Sequence, residues 1–412
     1  MFSLGIDGFS FDDLYAPAGL ERLYGRFLME LRALSPDVAI QYDRYRSAML
    51  AGTPRGGLPG PQESDLLVAV AAFTSKFVSR LFRLDKELGA LSTSLTKELG
   101  LFEFKREFVT RRVFKKGSVD RPTRDELPAL DGRMALLLEL GFGAVLPPVP
   151  DGHLHHGVDH ERALAEAVLT LMQVERHFGG HKSSEAAVAR WATLRTALLS
   201  TKAGADAFGS TLVGDDLTQV RGLLSLADRW TWARASFTHT FHGWSTIRQP
   251  LPLIPDKLVE LKVPDASKPE TLEGPDVHLR RRDGFALTDQ RYGLREVMNE
   301  VDYCVVCHER EKDSCSKGIK DKEPGAKHTF KKNALGIPLA GCPLEERISE
   351  MHLLKSRGDS LASLAMVMLD NPMCPGTGHR ICNDCMKACI FQKQEPVNIP
   401  QIETSALTDV LA

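Results

Sequence analysis

The chain has 412 residues, of which 43% are hydrophobic and 26% charged, a composition typical of a globular protein with two or three domains and not of a disordered or membrane-spanning chain. Its 52 basic and 54 acidic residues leave a net charge of −2, so the chain as a whole has no electrostatic attraction to nucleic acid or anionic lipid. All eight cysteines lie between Cys304 and Cys389.

The N-terminal residues carry no targeting signal that we recognise. Residues 1–13 lack a basic start, an apolar core of secretory length and a small-residue cleavage site. The longest apolar run, Leu66 to Phe73, is far shorter than the roughly twenty residues of a membrane-spanning helix. We therefore expect a cytoplasmic chain without a membrane span. In that reducing compartment, clustered cysteines favour metal ligation over disulfides.

The first part of the chain has the apolar spacing of helices. Apolar residues recur every three or four positions over residues 65–84, which predicts an amphipathic helix there. Three further helices are predicted at Leu164 to Phe178, Val188 to Leu198 and Leu217 to Leu224. Because alternating strand patterns are scarce, we predict a mainly α chain with a large helical domain of unknown role over residues 1–248.

Several features of this domain resemble chemical sites, but their contexts favour structural roles. Gly141-Phe-Gly143 follows an apolar run, as a dinucleotide fingerprint would, but Pro147-Pro148 prevent the helix that would bind the pyrophosphate. The histidines between His153 and His160 have metal-ligand spacing, yet they follow a proline-rich turn where solvated histidines are common. The aromatic residues between Trp230 and Trp244 indicate a core cluster.

A proline-rich stretch separates this domain from the cysteines. Six prolines lie between Pro250 and Pro275, and proline both fixes φ and removes a backbone donor. We predict a connector over residues 249–290. The three arginines Arg280 to Arg282 that it contains favour a solvated turn over a phosphate clamp.

Two metal-binding interpretations leave cysteines without a role. A zinc ribbon would use the pairs Cys304/Cys307 and Cys382/Cys385, but 74 residues separate the pairs and four cysteines remain. Cys304 to His308 also matches the Cys-x-x-Cys-His string that attaches haem, which requires export and leaves six cysteines unused.

Iron–sulfur ligation accounts for all eight cysteines as two sets of four. Compact runs such as Cys382 to Cys389 allow neighbouring backbone amides to donate to cluster sulfurs. Cys-Pro, at Cys342 and Cys374, is the dipeptide whose cysteine serves the opposite cluster in two-cluster ferredoxins. The predicted ligands are Cys304, Cys307, Cys315, Cys342, Cys374, Cys382, Cys385 and Cys389.

The order of motifs in this region resembles the N-terminal iron–sulfur domain of the glutamate synthase small subunit and of dihydropyrimidine dehydrogenase. The shared elements, over about residues 295–412, are the two Cys-x2-Cys pairs, Lys355-Ser-Arg-Gly-Asp359, Asn371-Pro372, Gly378-His-Arg-Ile-Cys382 and the closing Val397 to Glu403. The resemblance implies a helical, ferredoxin-like module over residues 291–412. It also implies two [4Fe-4S] clusters that exchange electrons with a flavoprotein domain or subunit binding FAD and NAD(P)H.

The family pattern, carried over to these positions, implies the ligand sets. Cys342 joins Cys382, Cys385 and Cys389 at one cluster, which leaves Cys374 as the fourth ligand beside Cys304, Cys307 and Cys315 at the other. This chain departs from the family in a lysine-rich insert from Lys317 to Lys332. A solvated loop is the favoured interpretation of the insert, and a docking patch for an acidic redox partner is the alternative.

The sequence ends at Ala412 without a Gly-x-Gly-x-x-Gly motif that a helix could follow. We therefore expect an electron-transfer portion of a larger oxidoreductase, which alone does not complete a reaction. FAD and NAD(P)H are expected on a missing domain or a partner chain. Two alternatives remain open: a zinc-stabilised helical binding module without redox activity, and an enzyme whose site lies unrecognised in the N-terminal domain.

Overall fold

The computed structural model describes residues 4–114, 120–145, 159–181, 184–237, 244–255, 258, 261–274, 284, 290–310, 312–321, 329–377 and 382–411. Over these residues the chain is mainly α, which confirms the predicted fold class, and its β structure is confined to isolated bridges. In this part of the chain, no helix is both long enough and apolar enough to cross a membrane.

The α-helices follow the chain in this order: α1 (Pro17–Leu34), α2 (Pro36–Leu50), α3 (Gly60–Phe82), α4 (Asp85–Phe104), α5 (Leu127–Phe142), α6 (His160–Phe178), α7 (Glu185–Leu199), α8 (Lys202–Phe208), α9 (Asp216–Phe237), α10 (Leu294–Tyr303), α11 (Ser314–Lys317), α12 (Ile348–Ser356), α13 (Ser360–Asp370), α14 (Cys374–Thr377), α15 (Asp384–Lys387) and α16 (Ile399–Leu411). A π-helical segment, Lys105–Val113, continues α4, and short 3-10 helices lie at Phe11–Leu14, Pro54–Gly57, Arg124–Glu126 and Cys307–Arg310.

Packing divides the chain into two compact units. Unit 1 combines Met1–Lys97 with Pro250–Ala412, and unit 2 is Glu98–Gln249. The boundary at Pro250 coincides with the start of the predicted connector. The sequence predicts one domain over residues 1–248, whereas in the structure residues 1–97 belong to the unit that contains the cysteines. The physical reason is that α3 packs against α13, so its apolar face is buried by the C-terminal part of the chain.

Unit 2 is a helical bundle whose core lies between α5, α6, α7 and α9. Trp230 is fully buried, and its indole N–H donates to Asp131 at 2.8 Å. Trp244 is buried in the same core, as expected for the aromatic cluster. Gly143 ends α5 in the left-handed conformation with φ +60°, so that the Gly141-Phe-Gly143 segment forms a helix terminus. His153 to His156, which have metal-ligand spacing in the sequence, lie outside the described residues.

A buried carboxyl in unit 2 gives a testable pH dependence. Burial raises the pKa of Asp228 from 3.8 to about 6, although Arg112 donates to both of its oxygens and opposes the shift. A carboxyl with a raised pKa stabilises the fold below the unfolded-state pKa and loses this contribution as the pH rises through the folded-state pKa. The stabilisation that Asp228 contributes, at most about 3 kcal/mol, is therefore lost as the pH rises from about 4 to about 6.

We expect Asp228→Asn to remove this part of the pH dependence. The free energy of unfolding of the wild type should fall more steeply than that of the variant between pH 4 and pH 6. Tryptophan fluorescence during urea titration measures the free energy of unfolding of unit 2, because all four tryptophans lie in that unit. Equal slopes for the two proteins would show that Asp228 keeps an ordinary pKa.

In unit 1, α13 packs against α3, α12 and α16. Its buried residues are Ser360, Leu361, Ala362, Ser363, Leu364, Met366 and Val367. Polar contacts reinforce this packing: Arg347, directly before α12, donates to Glu63 of α3 at 2.8 Å and pairs with Asp370 of α13. Asp359 caps α13 by accepting from the amide of Ala362 at 2.9 Å. The N-terminal helices are thus fixed directly to the helices that adjoin the cysteines.

Candidate metal centre

All eight cysteines are free thiols in unit 1, and they lie at helix termini or in turns. Cys304 follows α10, Cys307 begins a 3-10 turn, Cys315 lies in α11, Cys342 lies in the turn before α12, Cys374 begins α14, and Cys382, Cys385 and Cys389 lie before, within and after α15. The Gly378 to Ile381 part of the predicted Gly-x-Arg-x-Cys motif lies outside the described residues.

Four thiols interact around the end of α10. Burial raises the pKa of Cys304 to about 12, and the nearby charges of Cys307 and Cys389 contribute in the same direction. Burial also raises the pKa of Cys315, and the charges of Cys304, Cys389 and Cys307 add to this effect. We call Cys304, Cys307, Cys315 and Cys389, which these electrostatic effects link, the first thiol set.

The other four thiols gather around α15. Burial raises the pKa of Cys385, and the charges of Cys342 and Cys382 add to the shift. Cys374 donates its thiol proton to Glu403 Oε1 over 3.4 Å, and burial together with this carboxylate raises its pKa to about 12. Glu403 also raises the pKa of Cys385. Cys342, Cys374, Cys382 and Cys385 therefore form the second thiol set, with Glu403 among them.

The sequence-based grouping placed Cys374 with Cys304, Cys307 and Cys315, and Cys389 with the other three cysteines. In the two thiol sets Cys374 and Cys389 exchange places. The structure brings Cys389 to the first set because the ring of Phe391 stacks on Tyr303, beside Cys304, with a centroid distance of 4.4 Å. Cys374 lies with the second set because Glu403 acts on thiols of that set. Glu403 Oε1 accepts from Cys374 Sγ at 3.4 Å and from the Asn371 side chain at 3.5 Å, and its charge raises the pKa of Cys385.

Backbone amides point at several of the sulfurs. The amide of Val306 donates to Cys304 Sγ at 3.5 Å, and Val306 takes the left-handed conformation with φ +49°. The nearby amides of Glu346 and Leu344 act to lower the pKa of Cys342 and so oppose the effect of burial. The amides of Phe391, Val397 and Ile390 act in the same way on Cys389, and that of Met386 on Cys385. Amide donors of this kind stabilise negative charge on sulfur and are characteristic of thiolate-ligated clusters.

The thiols offer soft, deprotonable sulfur ligands of the kind that iron–sulfur clusters take. Among the described residues, no three or more His, Cys, Asp and Glu side chains converge on a position that one metal ion could occupy. The raised pKa values also mean that binding must release protons, as metal binding to buried thiols does. The donor chemistry and the amide bonds fit two such clusters.

Buried polar side chains adjoin the first thiol set. Asp313 accepts from Ser349 Oγ at 2.8 Å and lies 3.8 Å from Cys315 Sγ. Glu350 is buried and bonded to Ser64 of α3. His352 is 1% exposed, has no hydrogen-bond partner among the described residues and is kept neutral, because burial lowers its pKa to about 3.

The sequence analysis does not single out Glu350 and His352. The signal that could have identified them is a carboxyl and an imidazole on either side of Met351, between the apolar residues Ile348 and Leu354, which are buried with it.

Comparison with known proteins matches the N-terminal helices to a described family. The family described as the RP005 N-terminal alpha-helical domain matches residues 4–83, which include α1 to α3. The uncharacterized protein RP006 of Rickettsia prowazekii is 67% identical over 39 residues, which are 10% of this chain and 6% of RP006. The uncharacterized protein RP005 of the same organism is 34% identical over 84 residues, which are 18% of this chain and 26% of RP005.

This chain thus spans only a small part of the length of these relatives. No solved structure matches the chain significantly. The comparisons associate α1 to α3 with a recurring helical domain and assign it no activity, so the function has to be inferred from the thiol sets.

Proposed function

We propose that this chain is the electron-transfer portion of an FAD- and NAD(P)H-linked oxidoreductase and carries two [4Fe-4S] clusters. The observation that carries the proposal is the gathering of all eight cysteines into two sets of four. Neighbouring thiols raise the pKa of Cys304 and Cys315 in the first set and of Cys385 in the second. Cys374 is linked to Cys385 through Glu403, whose carboxylate raises the pKa of both thiols. The first set would hold one cluster and the second set the other.

The bound clusters would supply one-electron transfer, with potentials set by hydrogen bonds to sulfur and by exposure to water. The chain's own residues hold the thiols and limit the access of water. Three thiols of the first set, Cys307, Cys315 and Cys389, are buried, whereas the second set has two buried thiols, Cys374 and Cys385, and one exposed thiol, Cys382. The first set is therefore the more enclosed, and its side near α12 and the 3-10 turn at Cys307 is covered by α3.

A flavin partner follows from the chemistry of the electron source. NAD(P)H delivers two electrons as a hydride, whereas a cluster accepts one at a time, so a flavin is needed to divide the pair. We propose that the flavoprotein is a further domain or a separate subunit, and that this chain alone completes no reaction. We also propose a cytoplasmic location, where reducing conditions keep thiols available for metal, and no nucleic-acid partner.

Anaerobic purification followed by metal analysis tests the proposal. We expect about eight iron and eight acid-labile sulfide per chain, as two four-iron clusters require. Dithionite should bleach the visible absorption and produce the EPR signal of reduced clusters. Stoichiometric zinc without a reducible chromophore would contradict the proposal and favour a zinc-stabilised helical binding module.

A further inference from the structure

The lysine-rich insert has a defined structure over its described residues. Between Cys315 and Cys342, three short extended segments are joined by antiparallel bridges, with Lys320 opposite Phe330 and Lys332 opposite Pro338. Each segment bonds to the other two: Lys331 N donates to Ile319 O at 2.8 Å, Leu339 N to Lys331 O at 2.8 Å, and Ile319 N to Leu339 O at 2.9 Å. We call residues 317–321 and 329–341 the basic insert.

The base of the basic insert is fixed between the two thiol sets. The amide of Cys342 donates to the carbonyl of Cys315 at 2.9 Å, so one cysteine of each set lies at this junction. Gly341 has φ +80°, and a Cβ there would lie 2.5 Å from the backbone nitrogen of Gly318 and 2.7 Å from the carbonyl oxygen of Ser316. This close backbone approach holds the insert in a fixed position beside the thiols.

The exposed surface of the basic insert is strongly positive. Lys320, Lys331 and Lys332 are exposed, and Asp321 is the exposed acidic residue within its described part. Because alternate residues of an extended segment share a face, Lys332 lies on the same face as Phe330 and hence as Lys320. This local excess stands out in a chain whose net charge is −2.

Apolar side chains lie next to these lysines. Leu335 and Ile337 are 56% and 39% exposed, at the turn between the second and third extended segments. An apolar contact bordered by charged residues is the usual composition of a protein interface. The charges steer the partner towards the surface, and the apolar residues contribute to the contact after docking.

We propose that the basic insert is a docking surface for a small acidic protein that carries one electron at a time. The proposal rests on the proposed function. Charge complementarity selects an acidic partner, and the fixed base brings that partner close to a cysteine of each set. In each encounter the reduced carrier would lose one electron and the chain would gain one, with no bond made or broken.

Binding of a [2Fe-2S] ferredoxin of strongly negative net charge tests this docking surface. Calorimetry on the anaerobically purified chain should show an affinity that falls as sodium chloride is raised, since salt screens exposed charges. Lys320→Gln/Lys332→Gln should weaken binding about tenfold at low salt and reduce the salt dependence. Lys86→Gln/Lys268→Gln, which removes two exposed lysines elsewhere in unit 1, is the matched control and should change the affinity less than about twofold.

Equal affinities of the two double variants, or salt-independent binding, would overturn the docking surface. Lys320→Glu/Lys332→Glu should weaken binding further than the glutamine pair, and cytochrome c, a basic carrier, should not bind. Iron and sulfide are counted in the same preparations. A chain without clusters therefore refutes the proposed function, whereas an unaltered affinity of the lysine variants refutes the docking surface alone.

Discussion

Replacing Cys389 by serine is expected to lower the iron content from about eight to about four atoms per chain. The structure places Cys389 with Cys304, Cys307 and Cys315, so the variant should lose the cluster of the first thiol set and keep the cluster of the second. Iron analysis gives the stoichiometry, and EPR spectroscopy of the reduced protein identifies the cluster that remains. Cys389→Ala serves as a second variant, because a serine oxygen is itself able to bind iron.

The pairing of spectra decides between the two groupings of ligands. Cys389→Ser should leave the same EPR signal as Cys304→Ser, and Cys374→Ser should leave the same signal as Cys382→Ser. If the spectrum of Cys389→Ser instead matches that of Cys382→Ser, the ligands follow the family pattern inferred from the sequence. If Cys374→Ser loses no iron, Glu403, which accepts from the Cys374 thiol, is the next side chain to test.

Local sequence signals predicted several helices closely. The apolar stripe from Leu164 to Phe178 corresponds to α6 (His160–Phe178), and the stripe over residues 65–84 corresponds to α3 (Gly60–Phe82). The turn between α12 and α13 is also formed by adjacent residues, since Gly358 has φ +79° and the carboxylate of Asp359 caps α13. Spacing and capping are local properties, which a single sequence displays directly.

The partner of each helix was not predictable in the same way. The stripe on α3 indicates a buried face, but apolar spacing does not specify which element covers it. Glu63 and Ser64 are buried on α3 because they bond to Arg347 and Glu350, nearly three hundred residues later in the chain. These contacts explain why Met1–Lys97 belongs to the unit that contains the cysteines.

The ligand grouping shows the same limit. The spacing of the cysteines identified the residues that gather, but Cys385 and Cys389 are four residues apart and lie in different sets. The stacking of Phe391 on Tyr303, which turns Cys389 towards α10, is a contact between distant parts of the chain. Spacing alone therefore supports all eight thiols as ligands, but it does not indicate which four belong to each set.

Replacing Asp409 by leucine should destabilise unit 1 by about 3–5 kcal/mol, because it leaves a buried ammonium without its counter-ion. The Lys355 side chain in α12 is fully buried and pairs with Asp409 of α16. Its Nζ also donates to Ser360 Oγ and Ser405 Oγ, each at 3.1 Å. Burial lowers the pKa of Lys355 more than the carboxylate raises it, so the charged form depends on this partner.

The double variant Lys355→Met/Asp409→Leu separates the cost of an unpaired charge from the cost of lost packing. Apolar side chains of similar volume often replace a buried ion pair without loss of stability, so the double variant should recover most of the wild-type free energy of unfolding. Far-UV circular dichroism during urea titration measures the change. Tryptophan fluorescence reports unit 2 and is the internal control. If Asp409→Leu costs less than about 1 kcal/mol, Lys355 is neutral in the fold, and α12 and α16 are held together by apolar packing alone.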